Sequence, residues 1–189
     1  MRRPPRNVIL FALCQAVMNS ATSLMVTASA LVGLALASSK ALATLPLSLM
    51  FLSMMLTSIP ASMLMSRWGR KPGFIFSSLI GMLAAAIATW AIMVQSFWLF
   101  CTASAGVGIF NGFGNYYRFA AVDSAAEAHK SKAISWVLAG GVAAAFIGPN
   151  LANYSQNLIE HARFAGSFAA LFILYLLAFI VLQYIEPPP

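Results

Sequence analysis

The chain has 189 residues, 61% of them apolar and 8% charged, with a mean hydropathy of +0.84. A soluble globular domain would carry roughly a quarter charged residues. This composition therefore excludes one, and a disordered chain with it. Despite a formal net charge of +7, it also excludes a nucleic-acid partner, because the Lys and Arg residues do not cluster on one face but stand in short breaks between long apolar runs. That pattern is the footprint of a polytopic membrane protein.

A helix needs ~20 predominantly apolar residues to cross a bilayer, and six runs meet that length. The first covers about residues 8–37. It follows Arg2 and Arg3, and Ala28-Ser29-Ala30 near its end looks like a leader cleavage site. The run is about twice the length of a leader's apolar core, so it reads as a retained helix. Its polar residues Gln15, Asn19 and Ser23 recur at i, i+4 and i+8 on one face, with Thr22 and Thr27 beside them. The second run, about 42–65, carries Met50 and Met54 one turn apart. The third, about 73–95, has small residues at Ser77, Gly81 and Ala85, a ridge that admits a close neighbour.

The fourth run, about 97–122, places Ser104, Gly108, Asn111, Asn115 and Arg118 on one face and contains Gly108-x-x-x-Gly112. The fifth, about 133–153, repeats the small-residue ridge at Gly140, Ala144 and Gly148. Its Pro149 removes a backbone donor and should bend the helix near its outer end. The sixth, about 164–185, is stopped by Pro187-Pro188-Pro189. The expected fold class is an all-α membrane protein with a single six-helix transmembrane domain over 1–189. Barrel strands are excluded because the runs do not alternate in period two. Cys14 and Cys101 both fall inside apolar runs, so neither a disulfide nor a zinc site is expected.

With the N-terminus inside, the inner segments hold Arg2, Arg3, Arg6, Arg67, Arg70, Lys71, Arg118, Lys130 and Lys132. The outer loops hold only Lys40 and Arg163. This positive-inside bias predicts an integral membrane protein with both termini cytoplasmic. A bacterial inner membrane is the expected location.

Residues at the breaks carry a family resemblance. Ser62-Met63-Leu64-Met65-Ser66-Arg67-Trp68-Gly69-Arg70-Lys71, between the second and third helices, resembles the signature loop of the major facilitator superfamily, G-x-L-a-D-R-x-G-R-K. Leu64, Arg67, Gly69, Arg70 and Lys71 match it, whereas Ser62 replaces the leading glycine and Ser66 the aspartate. Gly140 through Pro149, with Gly141 and Gly148, is similar to the glycine-rich fifth-helix motif of that family's antiporters. Asn111-Gly112-Phe113-Gly114 resembles the tail of a third motif, with Gly108 where that motif has arginine.

The resemblance implies half of a twelve-helix fold, itself an inverted 3+3 repeat. It also implies a small-solute transporter working by alternating access, with helices one and four at the cavity. A lone half leaves one cavity wall uncovered, and a parallel homodimer of twofold symmetry would close it. The expected partners are thus a second copy of the chain, the lipid bilayer and a small-molecule or ion substrate. A hetero-partner remains an alternative.

Gln15, Asn19, Ser23, Asn111 and Asn115 are the expected lining residues. Ser66, Arg67, Gly69, Arg70, Lys71 and Arg118 are the expected gate and loop residues, with Arg118 pairing with Asp123 or Glu127. Gly140, Gly141, Gly148 and Pro149 are expected to serve packing or a hinge. No enzyme constellation and no cofactor motif is present. The only acids are Asp123, Glu127, Glu160 and Glu186, in predicted loops or at a helix end, and His129 and His161 are loop residues too. A proton carrier needs an ionisable group within the membrane, so coupling to protons is not expected. Two other readings stand beside transport of a solute. One is a non-transporting membrane subunit or scaffold. The other is a Cu(I) importer using Met50 and Met54, since thioethers select that ion; against it, methionine is a common flexible gap-filler.

Overall fold

A computed structural model describes residues 6–124, 130–159 and 162–185. Among these residues the chain is helical and contains no strand. The helices are α1 (Arg6–Leu36), α2 (Leu45–Trp68), α3 (Arg70–Met93), α4 (Phe97–Gly114), α5 (Tyr117–Asp123), α6 (Lys130–Ser155) and α7 (Ala165–Gln183). A short 3-10 turn at Lys40–Leu42, closed by the Ser39 hydroxyl accepting from Ala41 N, links α1 to α2.

Five helical segments among the described residues are long and apolar enough to cross a membrane: Arg6–Leu36, Lys40–Trp68, Arg70–Met93, Phe97–Asp123 and Ala165–Gln183. At 26 residues, α6 also exceeds the thickness of a hydrocarbon core, roughly 30 Å at 1.5 Å per residue. Pro149 is accommodated inside α6, which continues to Ser155.

Two boundaries differ from expectation, each for a local reason. The second and third helices meet at a single residue, Gly69, with φ 90 and ψ 161. That region of backbone space is open essentially to glycine alone, so α2 and α3 each extend to the corner. The fourth run, expected as one helix over 97–122, is two. The amide of Asn115 still bonds Asn111 O at 3.1 Å, but that of Tyr116 steps to Phe113 O at 3.0 Å, a tightened turn. Gly112 and Gly114 are weak helix formers at this point. The Met18 side chain also occupies the space a Cβ on Gly114 would need.

The packing is pairwise. α1 lies chiefly on α6 and α7, α4 lies chiefly on α2 and α3, and α3 meets α7. Small residues make the two closest seams. A Cβ on Gly108 would collide with Met50 O, and one on Gly112 would lie 2.8 Å from Thr57 Cβ, so α4 rests directly on the α2 backbone. On the other side, a Cβ on Gly140 would lie 3.1 Å from Ala12 O and one on Gly148 2.5 Å from Ser20 O. Ser20 Oγ also donates to Ala144 O at 3.4 Å across that α1–α6 seam.

Between the seams lies an aromatic core. Phe110 stacks on Tyr175 with ring centroids 4.4 Å apart, and Phe74 stacks on Tyr117 at 4.5 Å. Such pairs add about 0.5 to 1.5 kcal/mol each beyond their area. Gly81 makes room for Phe110 and Tyr175, either of which a Cβ there would meet at 3.2 Å.

One end of the bundle gathers the α2–α3 corner, α5 and the end of α7. Lys71 Nζ donates to Gln183 O at 2.8 Å and to Ile185 O at 2.7 Å, placing a cation on carbonyls at and just past the end of α7. The helix dipole favours that arrangement. Arg163 lies at the other end, beside Leu36 and Phe164.

Candidate functional site

A groove of about 460 Å³ opens between α1, α6 and the break between α4 and α5. Its polar residues are Gln15 and Asn19 from α1 together with Asn115 and Arg118 from the break. The helical spacing that puts Gln15 and Asn19 on one face also lets them bond, Gln15 Nε2 donating to Asn19 Oδ1 at 3.1 Å. Asn19 Nδ2 lies over Gly141, where a Cβ would come within 2.5 Å of it. The glycine thus leaves room for the amide as well as for packing.

Asn115, half-buried, lines the groove where the helix lapses. Arg118 follows on α5, solvent-accessible, with its guanidinium carbon 5.1 Å from the Phe119 ring centroid. Val137, Leu138, Val142 and Phe146 of α6 form the apolar wall. Phe146 is 72% exposed and Val142 65%. The groove therefore offers amide donors and acceptors, one cation and an apolar plate, and no nucleophile with a neighbouring base.

Not every expected lining residue reaches this groove. Ser23 sits at the α1–α6 seam, where a Cβ on Gly148 would lie 2.7 Å from Ser23 Cβ. The stripe on the fourth run turns inward rather than toward the groove: Gly108 faces Met50 and Ser53 of α2, and Asn111 is buried at 2% exposure. Its face is a packing face, and the Gly108-x-x-x-Gly112 spacing within it was the available signal. Met50 is fully buried and Met54 half-buried, with their backbone carbonyls against Gly108 and Gly112, while Met55 is exposed. They serve the α2–α4 contact.

The loop between α2 and α3 has its own geometry. Asp123 pairs with Arg70, both about half exposed. This corrects the expected Arg118–Asp123 pair, because α5 points Arg118 into the groove while its last turn brings Asp123 to the α2–α3 corner. Ser66 Oγ donates to Met63 O at 2.8 Å, so its hydroxyl is engaged by its own helix. Ser62, Ser66, Arg70, Tyr116 and Asp123 line a second pocket of about 380 Å³. Tyr116 OH reaches Ser58 O at 2.8 Å, joining the α4–α5 break to α2. Arg67 is exposed at the same end. Glu127, His129, Glu160, His161 and Glu186 lie outside the described residues.

Sequence reasoning missed the α6 wall and the Arg70–Asp123 pair. An apolar side chain on a membrane helix reads the same whether it faces lipid or a groove. For the wall the only clue was Gly141, out of step with the Gly140–Ala144–Gly148 ridge. For the pair it was the isolation of Asp123 at the end of a span.

Residues 9–189 match the family described as the Major Facilitator Superfamily. The riboflavin transporter RfnT of Brucella anthropi is 38% identical over 183 residues, which is 97% of this chain and 46% of that relative. The chain therefore spans about half the length of the curated relative it matches.

Proposed function

This chain belongs to the major facilitator superfamily of membrane transporters, and on that premise we propose that it forms one six-helix wall of a solute translocation path. α4 and α5 together form the fourth of those helices. The proposed internal architecture is an inverted 3+3 repeat. The packing supports it: exchanging the first three spans for the last three maps the α1–α6 contact onto α4–α2. The same exchange maps α1–α7 onto α4–α3 and returns α3–α7 to itself.

The observation that carries the functional reading is the convergence of Gln15, Asn19, Asn115 and Arg118 on one groove beside an exposed apolar plate. A second six-helix unit would cover that plate. A parallel second copy, related by an axis along the membrane normal, meets the geometry with the same charge bias in both units. Rocking of the two units about the central site then gives alternating access.

The relative's name points to riboflavin as the cargo to test first. A flat tricyclic ring fits an apolar plate such as Phe146, and its polar edges and hydroxyl-bearing chain suit amides and a guanidinium. Riboflavin uptake into liposomes holding the purified chain is the direct test. Uptake that Asn19→Ala and Asn115→Ala each lower about tenfold supports the reading, since one lost buried contact costs about 1 to 3 kcal/mol. No uptake by the unaltered protein, in whatever oligomeric state native-like lipid holds it, sinks it.

A further inference from the structure

Asn111 is the anomaly of the bundle. It lies mid-span on α4 and is 2% exposed. Neither its amide nitrogen nor its amide oxygen has a hydrogen-bond partner among the described residues. Of the buried polar side chains there, it alone leaves two polar atoms unmatched, where Ser29, Tyr117 and Tyr175 each leave one hydroxyl. In a hydrocarbon surround an unmatched amide destabilises the conformation that holds it, so packing alone would favour leucine. The ordinary use of a membrane amide, as glue between helices, needs a partner that Asn111 does not have.

Position supplies a reason to keep it. Asn111 stands four residues before Asn115, about 6 Å along the same helix, and Asn115 lines the groove. It is therefore the next polar residue deeper into the membrane from that site. Little holds α1 and α4 together here: α1 makes far less contact with α4 than with α6. Met18 packs against Gly114, three residues beyond Asn111 on α4, and methionine is a flexible side chain that repacks readily. α4 also rests on α2 through glycines facing backbone, a smooth seam.

We propose that Asn111 is a cargo-recognition residue, the deep end of the groove, whose amide is matched only when cargo is bound. The chemistry of its two free atoms defines the cargo group. A carboxylate would satisfy Nδ2 alone and an ammonium Oδ1 alone, and either charge would be costly at this depth. A neutral planar edge that donates and accepts side by side, a lactam or imide, satisfies both at once. The pyrimidinedione ring of a flavin carries such an edge, so this assignment rests on the flavin reading above and sharpens it.

The test is made on the purified full chain in lipid nanodiscs, with riboflavin and N3-methylriboflavin as probes. The methyl group blocks the imide N–H and leaves the rest of the molecule intact. Unaltered protein should bind riboflavin about tenfold or more tighter than the methylated probe, the scale of one lost buried hydrogen bond. In Asn111→Leu, and in Asn111→Val as a second variant, that preference should vanish, and the ligand-free melting temperature should hold or rise. A variant that keeps the preference overturns the proposal. So does a ligand-free melting temperature that falls in both variants, because the amide would then have a structural partner, protein or water. Protein that binds neither probe overturns the flavin reading and this assignment with it, and is recognised before any variant is compared.

Discussion

Asp123 and Lys71 hold the α2–α3 corner end of the bundle by different means. The Arg70–Asp123 pair is about half exposed, so solvent and salt screen it, and its contribution is about 0.2 to 1 kcal/mol. Lys71 makes two short bonds to the end of α7, and hydrogen bonds to a charged donor are worth more, about 1.5 to 3 kcal/mol. Lys71→Ala is therefore expected to cost about 1 to 2 kcal/mol after allowance for its partial exposure. Amide exchange over Leu182 to Ile185 should accelerate about tenfold, and Lys71→Arg should restore part of the protection. Ser66 stands in one pocket with Arg70 and Asp123. Ser66→Asp would place a second carboxylate there, where the family's motif has one. It should shift the population toward the inward-closed state by about 1 kcal/mol, the scale of a carboxylate near a helix N-terminus. Spin-label distances across the inner ends read the shift, and an unchanged distribution counts against a gate role for position 66.

At the scale of helices, glycines matter for two separate reasons that substitution can distinguish. Gly108 has an ordinary helical conformation and no space, since the backbone of α2 stands where a Cβ would go. Gly108→Ala should cost about 1 to 3 kcal/mol as overpacking and push α2 away from α4. Gly69 has space, with Pro72 Cδ at 3.7 Å as the nearest atom, and a conformation that side chains avoid. Gly69→Ala should cost about 1 to 3 kcal/mol as backbone strain, without moving the seam. Thermal unfolding measures both losses, and the distance between spin labels at the exposed positions 52 and 102 on α2 and α4 separates them: it should lengthen with Gly108→Ala and stay unchanged with Gly69→Ala.

For the whole molecule, the acids decide the coupling. Among the described residues the only acid is Asp123, engaged by Arg70 at the end of a span, and the remaining acids and both histidines lie outside the apolar runs. Uptake into liposomes should therefore be the same with and without an imposed pH gradient. Accumulation that a protonophore collapses at constant membrane potential would reveal a titratable site within the path. The charge bias makes a second whole-molecule prediction: labels at either terminus should react only from the cytoplasmic side, and a label at Gln156 only from outside. An external N-terminus would contradict it.

The sequence by itself determined that this is a helical membrane protein, because burying a backbone in hydrocarbon leaves no alternative to long apolar helices. It also carried the family, since Gly69 and its basic neighbours answer to backbone geometry and charge at one short corner. Polar spacing on α1 was enough to put Gln15 and Asn19 on one face, because both lie within a single regular helix. The fourth span was different. A regular helix through residue 122 places Asn111, Asn115 and Arg118 on one stripe, but the break at Asn115 and Tyr116 sends the later two into the groove and leaves Asn111 in the core. Met18 packs against Gly114 beside the break, and the Arg70–Asp123 pair depends on where α5 ends against a corner 53 residues earlier in the chain. Only the tertiary structure could decide these, because each is set by contact between helices distant in sequence, and helical periodicity reports nothing about which neighbour a face will meet.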